Sequence, residues 1–443
     1  MVYNRILEHI ILPPADVLLK TNFLSELKKW RNKTAFLNET ELLALQKQNL
    51  SKLLQHAVLT IPYYRDMGIG LTGDPYTDIK KFPLLTKRII KKNADALCVI
   101  QKEKLVVERS SGSSGEQGEI YMSKKERSQC QAAQTFLWQW SGYHPGDTIL
   151  QTGMTLNRGF VKSIKDRLFR THYVSAFNLS EDKICKELKN AAKKGCIYFG
   201  GFAASLNSYA KVAIDKNIPI RFKGVIVWGD KLFDEYKRNI KNAFGSPVIT
   251  ELYGTSEGHV ISGTCVYGAH HVLTPHVFIE LLNKDGNEVD TGELGYVVAT
   301  RLDGLSFPLI RYYLGDLAVK ESSSLKCPCG SNFPMLKKVV GRDTDIVQTP
   351  SGKDLIVHFF TGIFEHFESI QQFKIIQKEK GGIEIEYIPA VNFSTGILAK
   401  IEQRIFELAE EKPDIKWKSV NSIAATASGK PQIIENFIAP KMV

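Results

Sequence analysis

No run of the chain approaches the roughly 18 consecutive apolar residues that a bilayer-spanning helix requires, so no transmembrane segment is expected. The apolar N-terminal stretch is interrupted by Arg5, Glu8 and Asp16, and no signal peptide is read there. Cysteine is sparse: seven residues, an odd number scattered over 443 positions, do not form a disulfide framework and point to a reducing, cytoplasmic setting. Only Cys327 and Cys329 lie close together. Internal repeats and low-complexity tracts are absent, which excludes solenoids and long disordered tails. Acidic residues are the minority, 47 Asp and Glu against 58 Lys and Arg, a formal charge of +11. Such a surplus suits nucleic acid, an anionic membrane surface or polyanionic small molecules. Because the basic residues are spread along the chain and form no arm, no nucleic-acid partner is expected.

The remaining composition, 43% hydrophobic and 24% charged, is that of a globular protein long enough for two domains. Asn38 with Glu41 marks the start of an amphipathic helix carrying Leu42, Leu43, Leu50, Leu53, Leu54 and Ala57, and Pro62 closes it. Val225–Trp228 reads as a buried strand, Asp234–Phe244 as a helix and Val248–Tyr253 as the next strand, which implies a parallel α/β sheet. Turn signals at Lys284–Asn287 and Asp290–Gly292, flanked by Val277–Leu282 and Gly295–Thr300, suggest a change to antiparallel pairing there. After about residue 345 the pattern restarts as a small α+β domain, with alternating Ile383, Ile385 and Tyr387, a helix over Gly396–Glu410 and a last strand near Trp417–Ile423. The expected division is 1–343 and 344–443.

Two segments carry chemistry. Ser110-Ser111-Gly112-Ser113-Ser114-Gly115-Glu116-Gln117-Gly118 follows the β-like run Leu105–Glu108, and small hydroxyl residues between glycines let N–H and Oγ donors converge on phosphate oxygens. A flexible Gly/Ser linker reads this segment equally well. It is not the Gly-x4-Gly-Lys-Ser/Thr loop, since no Lys follows Gly115. Glu251-Leu252-Tyr253-Gly254-Thr255-Ser256-Glu257-Gly258 ends a strand, where open α/β sheets bind ligands, and an ordinary turn is the plain alternative. Tyr253 could stack on a base and Glu257 could hold Mg²⁺.

In this order, loop and turn resemble the adenylate-forming superfamily of acyl- and aryl-CoA ligases. Ser110–Gly115 is similar to its phosphate loop and Tyr253–Glu257 to its Tyr-Gly-x-Thr-Glu motif. Arg311-Tyr312-Tyr313-Leu314-Gly315-Asp316 resembles Tyr-Arg-Thr-Gly-Asp, implying ribose binding by Asp316. Gly341-Arg342-Asp343-Thr344-Asp345 resembles the Gly-Arg-x-Asp-Asp hinge, implying ribose and phosphate contacts by Arg342. Ser428-Gly429-Lys430 resembles the C-terminal Ser-Gly-Lys, implying that Lys430 contacts the α-phosphate and the substrate carboxylate. Gln46–Tyr64, Phe82–Lys87 and Val225–Asp230 look like the phenylacetate–CoA ligase branch, which includes capsular-polysaccharide relatives. The resemblance implies an α/β fold: a large N-terminal adenylation domain with a β-subdomain, and a small mobile α+β C-terminal lid.

It further implies that ATP and Mg²⁺ activate a carboxylic acid as an acyl-adenylate, which then passes to coenzyme A. An amine, a sugar or a carrier-protein thiol is the alternative acceptor, and transfer of AMP to an acceptor that keeps it is a third reading. A zinc-containing nucleic-acid-binding module without catalysis would leave Lys430, Asp316 and Tyr253 unexplained. Cys265, His271, Cys327 and Cys329 are similar to a structural Zn²⁺ set in some members of the branch, although Cys-x-Cys is tight, His270 competes, and two surface cysteines in a turn is the plain alternative. Gln117 replaces a frequent Pro, Ser256 a Thr and Thr344 the hinge Asp, while Pro431 and Gln432 stand where a basic residue often follows the lysine. The acid pocket is expected around Trp138–Tyr143, Phe199–Ala204 and Trp228–Asp230; the acid and the oligomeric state are not legible.

Overall fold

The computed structural model describes residues 2–109, 119–153, 159–176, 179–343, 345–364, 366–367, 369–424 and 432–438. They fall into two compact units: Met1–Glu280 with Val298–Tyr313 and Glu321–Lys337, and Leu281–Val297 with Leu314–Lys320 and Lys338–Val443. Among the described residues no helix is long and apolar enough to cross a membrane.

In the first unit, helices α1 (Phe23–Asn32), α2 (Glu39–Thr60) and α3 (Lys124–Trp138) precede the sheet. Asn38 and Glu41 close a reciprocal capping box on α2, and Ser123 with Glu126 does the same on α3, so each start satisfies two otherwise unpaired N–H groups. Strands β1 (Ile149–Gly153), β2 (Thr171–Ser175), β3 (Tyr198–Phe202), β4 (Gly224–Trp228) and β5 (Val248–Gly254) pair in parallel, and β6 (Val260–Thr264), β7 (His270–Val272) and the start of β8 (Met335–Arg342), of which this unit holds residues 335–337, continue antiparallel. Their order is β8-β7-β6-β5-β4-β3-β1-β2. Helices α4 (Ala203–Asp215) and α5 (Asp234–Phe244) cover one face, where Phe199, Phe222, Phe244 and Tyr209 form the centre of a fully apolar core. The change from parallel to antiparallel pairing therefore falls at the β5–β6 turn, earlier than the turn signals near residue 285 suggested. Val106–Arg109 and Glu119–Met122 form a separate antiparallel hairpin.

One polar pair in this unit is deeply buried. Arg311 forks onto Glu280, Nη2 to Oε1 at 2.9 Å and Nε to Oε2 at 3.1 Å, and donates Nη1 to the carbonyls of Phe82 and Lys80. Glu280→Ala would strand the guanidinium without its carboxylate, and a loss of about 3–5 kcal/mol is expected, read as a lower urea midpoint at unchanged slope.

The second unit holds a four-stranded sheet in the order β11-β10-β9-β12, from β9 (Ile370–Glu379), β10 (Gly382–Pro389), β11 (Asp414–Ser419) and β12 (Ile434–Asn436). Ile383, Ile385 and Tyr387 alternate into its buried face, and α6 (Gly396–Ala409) buries Ile401 and Ile405. The last-but-one strand starts three residues earlier than the sequence suggested, because Asp414 to Ser419 pair in register with Gly382 to Tyr387.

Candidate active site

The turn after β5 is built around a close backbone approach. A Cβ on Gly254 would lie 2.4 Å from the His259 carbonyl, so only glycine fits where Thr255 N–H donates to that carbonyl at 2.9 Å. Gly258, at φ +90°, closes the turn with its N–H on the Thr255 carbonyl. This brings Glu257 inward to 6% exposure. Its Oε1 accepts from the Tyr312 hydroxyl at 3.1 Å and its Oε2 from Ser256 Oγ at 3.3 Å. Thr255 Oγ1 meets His259 Nδ1 at 3.2 Å; burial, with Arg301 and His276 nearby, pushes the His259 imidazole down to about 3, so it stays neutral. Tyr253 and Gly254 sit on β5 beside Ser262 and Val260 of β6. Carboxylate oxygens fixed by neutral hydroxyls are the ligand chemistry a magnesium ion takes.

Segment 311–316 continues into the second unit, where Asp316 and Arg342 meet: Arg342 Nε lies 3.2 Å from Asp316 Oδ1, and its Nη1 donates to the Leu314 carbonyl at 2.9 Å. Asp343 N–H donates to the Gly315 carbonyl at 3.0 Å. Beside them Asp345 is pushed up to about 7 by burial, with Asp316 and Asp343 adding and Arg342 opposing. Its folded value lies above the ordinary 3.8, so its contribution to stability is full below that value and is lost as pH rises through about 7. Asp345→Asn is expected to flatten the stability difference of this chain between about pH 5 and about pH 8, measured by denaturant titration at each.

The four zinc candidates come together from three segments, their ligand atoms all within 4.8 Å of one another. Cys265 Sγ is 3.7 Å from Cys327 Sγ and Cys329 Sγ is 3.2 Å from His271 Nε2. Tetrahedral zinc, with Zn–S near 2.3 Å and Zn–N near 2.0 Å, separates its ligand atoms by about 3.5–3.8 Å, so the set fits that ion. His271 Nδ1 lies 3.1 Å from the Phe333 carbonyl, which holds the ring proton there and turns the Nε2 lone pair to the thiols. Burial works to raise the Cys265 thiol, but N–H groups of Tyr267 and Ala269 and the two neighbouring thiols outweigh it and lower its pKa. His270 does not join them. Adjacent strand residues face opposite ways, and His270 turns toward Ser262 Oγ at 3.3 Å and Glu251 at 3.9 Å.

In the expected acid pocket Trp138 stacks on Trp228 at 5.3 Å and meets Tyr143 edge-on, with room because Gly200 has no Cβ to strike Trp228. Phe199 is instead core. Asp230 accepts from the N–H groups of Ala203 and Ala204, anchoring the start of α4. Ser110, Ser111, Gly112, Ser113, Ser114, Gly115, Gln117, Thr344 and Ser428-Gly429-Lys430 lie outside the described residues. Sequence reasoning missed Tyr312, His259 and Arg301; only Tyr312 carried a signal, as part of a motif valued for its aspartate.

No family model matches the chain. It is similar to Protein CapK of Staphylococcus aureus, 22% identical over 415 residues and 90% of each chain. Over 103 residues, 22% of this chain and 23% of the other, it is 31% identical to the phenylacetate-coenzyme A ligase of Thermus thermophilus. Its fold matches that of a 2-hydroxyisobutyryl-CoA ligase in the postadenylation state in complex with R3-HIB-AMP, with a TM-score of 0.72 at 15% identity over 91% of each chain.

Proposed function

We propose that this chain, which has the fold of the adenylate-forming enzymes and resembles their phenylacetate–CoA ligase branch with its capsular relatives, activates a carboxylic acid with ATP. The observation that carries this reading is the double use of segment 311–316: Tyr312 binds Glu257, and Asp316 pairs with Arg342. Each pair joins residues of two motifs that the resemblance assigns to the nucleotide, Glu257 with Tyr312 in the first unit and Asp316 with Arg342 in the second, and this supports the reading. In this reading Asp316 accepts from the ribose hydroxyls, Arg342 donates to ribose and phosphate, and Tyr253 stacks on the base. The Ser110–Gly115 loop, with Ser111, Gly112, Ser113 and Ser114 between, cradles the β- and γ-phosphates. Glu257 holds Mg²⁺, which offsets the triphosphate charge.

The acid, already ionised at neutral pH, needs no base. Its carboxylate oxygen bonds to the α-phosphorus while the bond to the bridging oxygen breaks, and the electron pair leaves with pyrophosphate. Lys430 neutralises both anions as they approach. Coenzyme A then takes the acyl group through its thiol and releases AMP; an amine, sugar or carrier thiol, as a polysaccharide pathway would use, is the other acceptor. The reaction belongs to the cytoplasm.

Substrate-dependent exchange of labelled pyrophosphate into ATP, over aryl, fatty, amino and hydroxy acids with Mg²⁺, tests the first half-reaction. Exchange with one acid class is expected, and adding coenzyme A then separates the acceptors by whether a thioester accumulates. Absence of exchange with every class, in protein that binds ATP, would contradict the reading.

Cys265, His271, Cys327 and Cys329 are proposed to hold a structural Zn²⁺ that ties β7 to the Cys327–Cys329 turn. Purified protein is expected to carry about one zinc per chain, and Cys329→Ser to lose it with a stability drop of several kcal/mol. Metal analysis finding no zinc in freshly purified, reduced protein would remove this assignment.

A further inference from the structure

We infer that the N-terminal helical segment of the first unit docks on the surface of an anionic lipid bilayer. Nothing in the adenylation reading uses this segment, and the inference does not rest on that reading.

The segment runs through Val2–Ile6, a π-helical turn at Leu7–Ile11 and Leu12–Leu19. Its inner face is fixed. Leu7 and Leu12 are buried with Leu24 of α1, and Tyr3, Ile11 and Phe169 pack around them. Polar ties hold the same side: Tyr3 donates its hydroxyl to the Leu168 carbonyl at 2.7 Å, and Asn4 Nδ2 donates to Asp147 Oδ1 at 2.8 Å. Arg31 of α1 forks onto Glu8 at 2.9 and 3.0 Å, and Asp16 accepts from the N–H groups of Phe23 and Leu24. The outer face is therefore presented already folded, and binding through it need not order the chain.

That outer face is apolar. Val2, Ile6, Ile10 and Val17 recur at helical spacing and are exposed, and Leu18 and Leu19 stand exposed beside Val17. Val17 and Leu18 are 80% and 82% exposed. Six large apolar side chains along one segment mark a surface that meets something other than water.

Charge selects the partner. Arg5 and Lys20 on the segment, with Lys165 and Arg170 next to it, are exposed; Lys165 lies over the Phe169 ring and Arg170 over the Tyr3 ring. The acids of these segments turn inward: Glu8, Asp16 and Asp147 are held by the contacts above, and Asp166 is half-buried. Apolar side chains rimmed by Lys and Arg match hydrocarbon beneath anionic headgroups. A second copy of this chain fits poorly, because a two-fold interface sets the same basic rim against itself. A nucleic acid would meet the bases and leave the apolar face in water. Val17, Leu18 and Leu19 are successive and project about 100° apart, so a groove fitted to one stripe cannot take all three, whereas fluid hydrocarbon surrounds them. Lys20 ends the helix at φ 56°, and its long stem lets the ammonium reach the headgroups while the leucines insert.

The test is co-sedimentation of the full chain with vesicles of phosphatidylcholine alone and with about 30 mol% phosphatidylserine added. Binding at least about tenfold tighter to the anionic vesicles is expected, weakening as salt is raised. Leu18→Glu and, separately, Ile10→Glu should each lower it about tenfold or more at an unchanged urea midpoint. Lys20→Asn and Arg170→Asn, at φ 56° and 53° where asparagine is tolerated, should each lower it about fivefold. The inference is overturned by no binding to either vesicle, by equal binding to both, or by undiminished binding of folded Leu18→Glu and Ile10→Glu. A dimer that Leu18→Glu dissociates, in protein that ignores vesicles, would give this face to a second copy and overturn it as well.

Discussion

Lys430→Ala is expected to lower pyrophosphate exchange by about 10²–10³-fold while ATP binding survives. The two reacting groups, a carboxylate and an α-phosphate, are both anions, and their approach is repelled until a cation neutralises charge that develops between them. A positioned donor of this kind is worth about 3–4 kcal/mol in the transition state and much less in the ground state, where ATP is held by other contacts. The rate and the affinity should therefore part company in this variant: exchange collapses, whereas the dissociation constant for ATP changes only a few-fold. Exchange at the wild-type rate would remove Lys430 from the chemistry. Equal loss of exchange and of ATP binding would recast it as a binding residue.

Glu257→Gln is expected to cost about 10²-fold in exchange at low Mg²⁺, with part of the loss recovered as Mg²⁺ is raised. The substitution keeps the shape of the side chain but removes its charge at a position that is 6% exposed and already oriented by Tyr312. An amide oxygen remains, so the cation is bound more weakly rather than lost, and the Mg²⁺ dependence of the rate is the diagnostic quantity. Tyr312→Phe gives the comparison: it deletes only the hydroxyl that positions Glu257, and a smaller loss of about tenfold is expected, with the same displacement of the Mg²⁺ curve. Unchanged Mg²⁺ dependence in Glu257→Gln would show that the carboxylate does not meet the metal.

Much of this architecture is written in local pattern. Asn38 and Glu41 announce the capping box, Val225–Trp228 the central strand, and the alternation of Ile383, Ile385 and Tyr387 the buried face of β10. What stays hidden depends on partners distant in sequence. The switch to antiparallel pairing at Gly254 is set by the approach of the His259 carbonyl, a backbone contact that no side-chain period reports. The choice between His270 and His271 turns on which face of a three-residue strand meets Cys329, and neighbouring histidines look alike until the register is known. Helix α1, with Leu24, Leu27 and Trp30 at helical spacing, is readable from its period, although no motif draws attention to it.

Parts of the site differ in what supports them. Asp316 and Arg342 each stand in a recognisable motif, and their ion pair within the second unit adds a physical contact to the resemblance. Lys430 rests on its motif and on the electrostatic need for a cation, which is why its substitution is the sharper functional experiment.

The most direct test of adenylation follows the oxygen atoms. With an acid substrate labelled in its carboxylate by ¹⁸O, and unlabelled ATP, attack on the α-phosphorus places one labelled oxygen in the AMP released when the acceptor takes the acyl group. Mass spectrometry of the nucleotide product is expected to find AMP carrying a single ¹⁸O, with pyrophosphate unlabelled. Label in inorganic phosphate with ADP as the nucleotide product would mean attack at the γ-phosphorus, and would contradict the account.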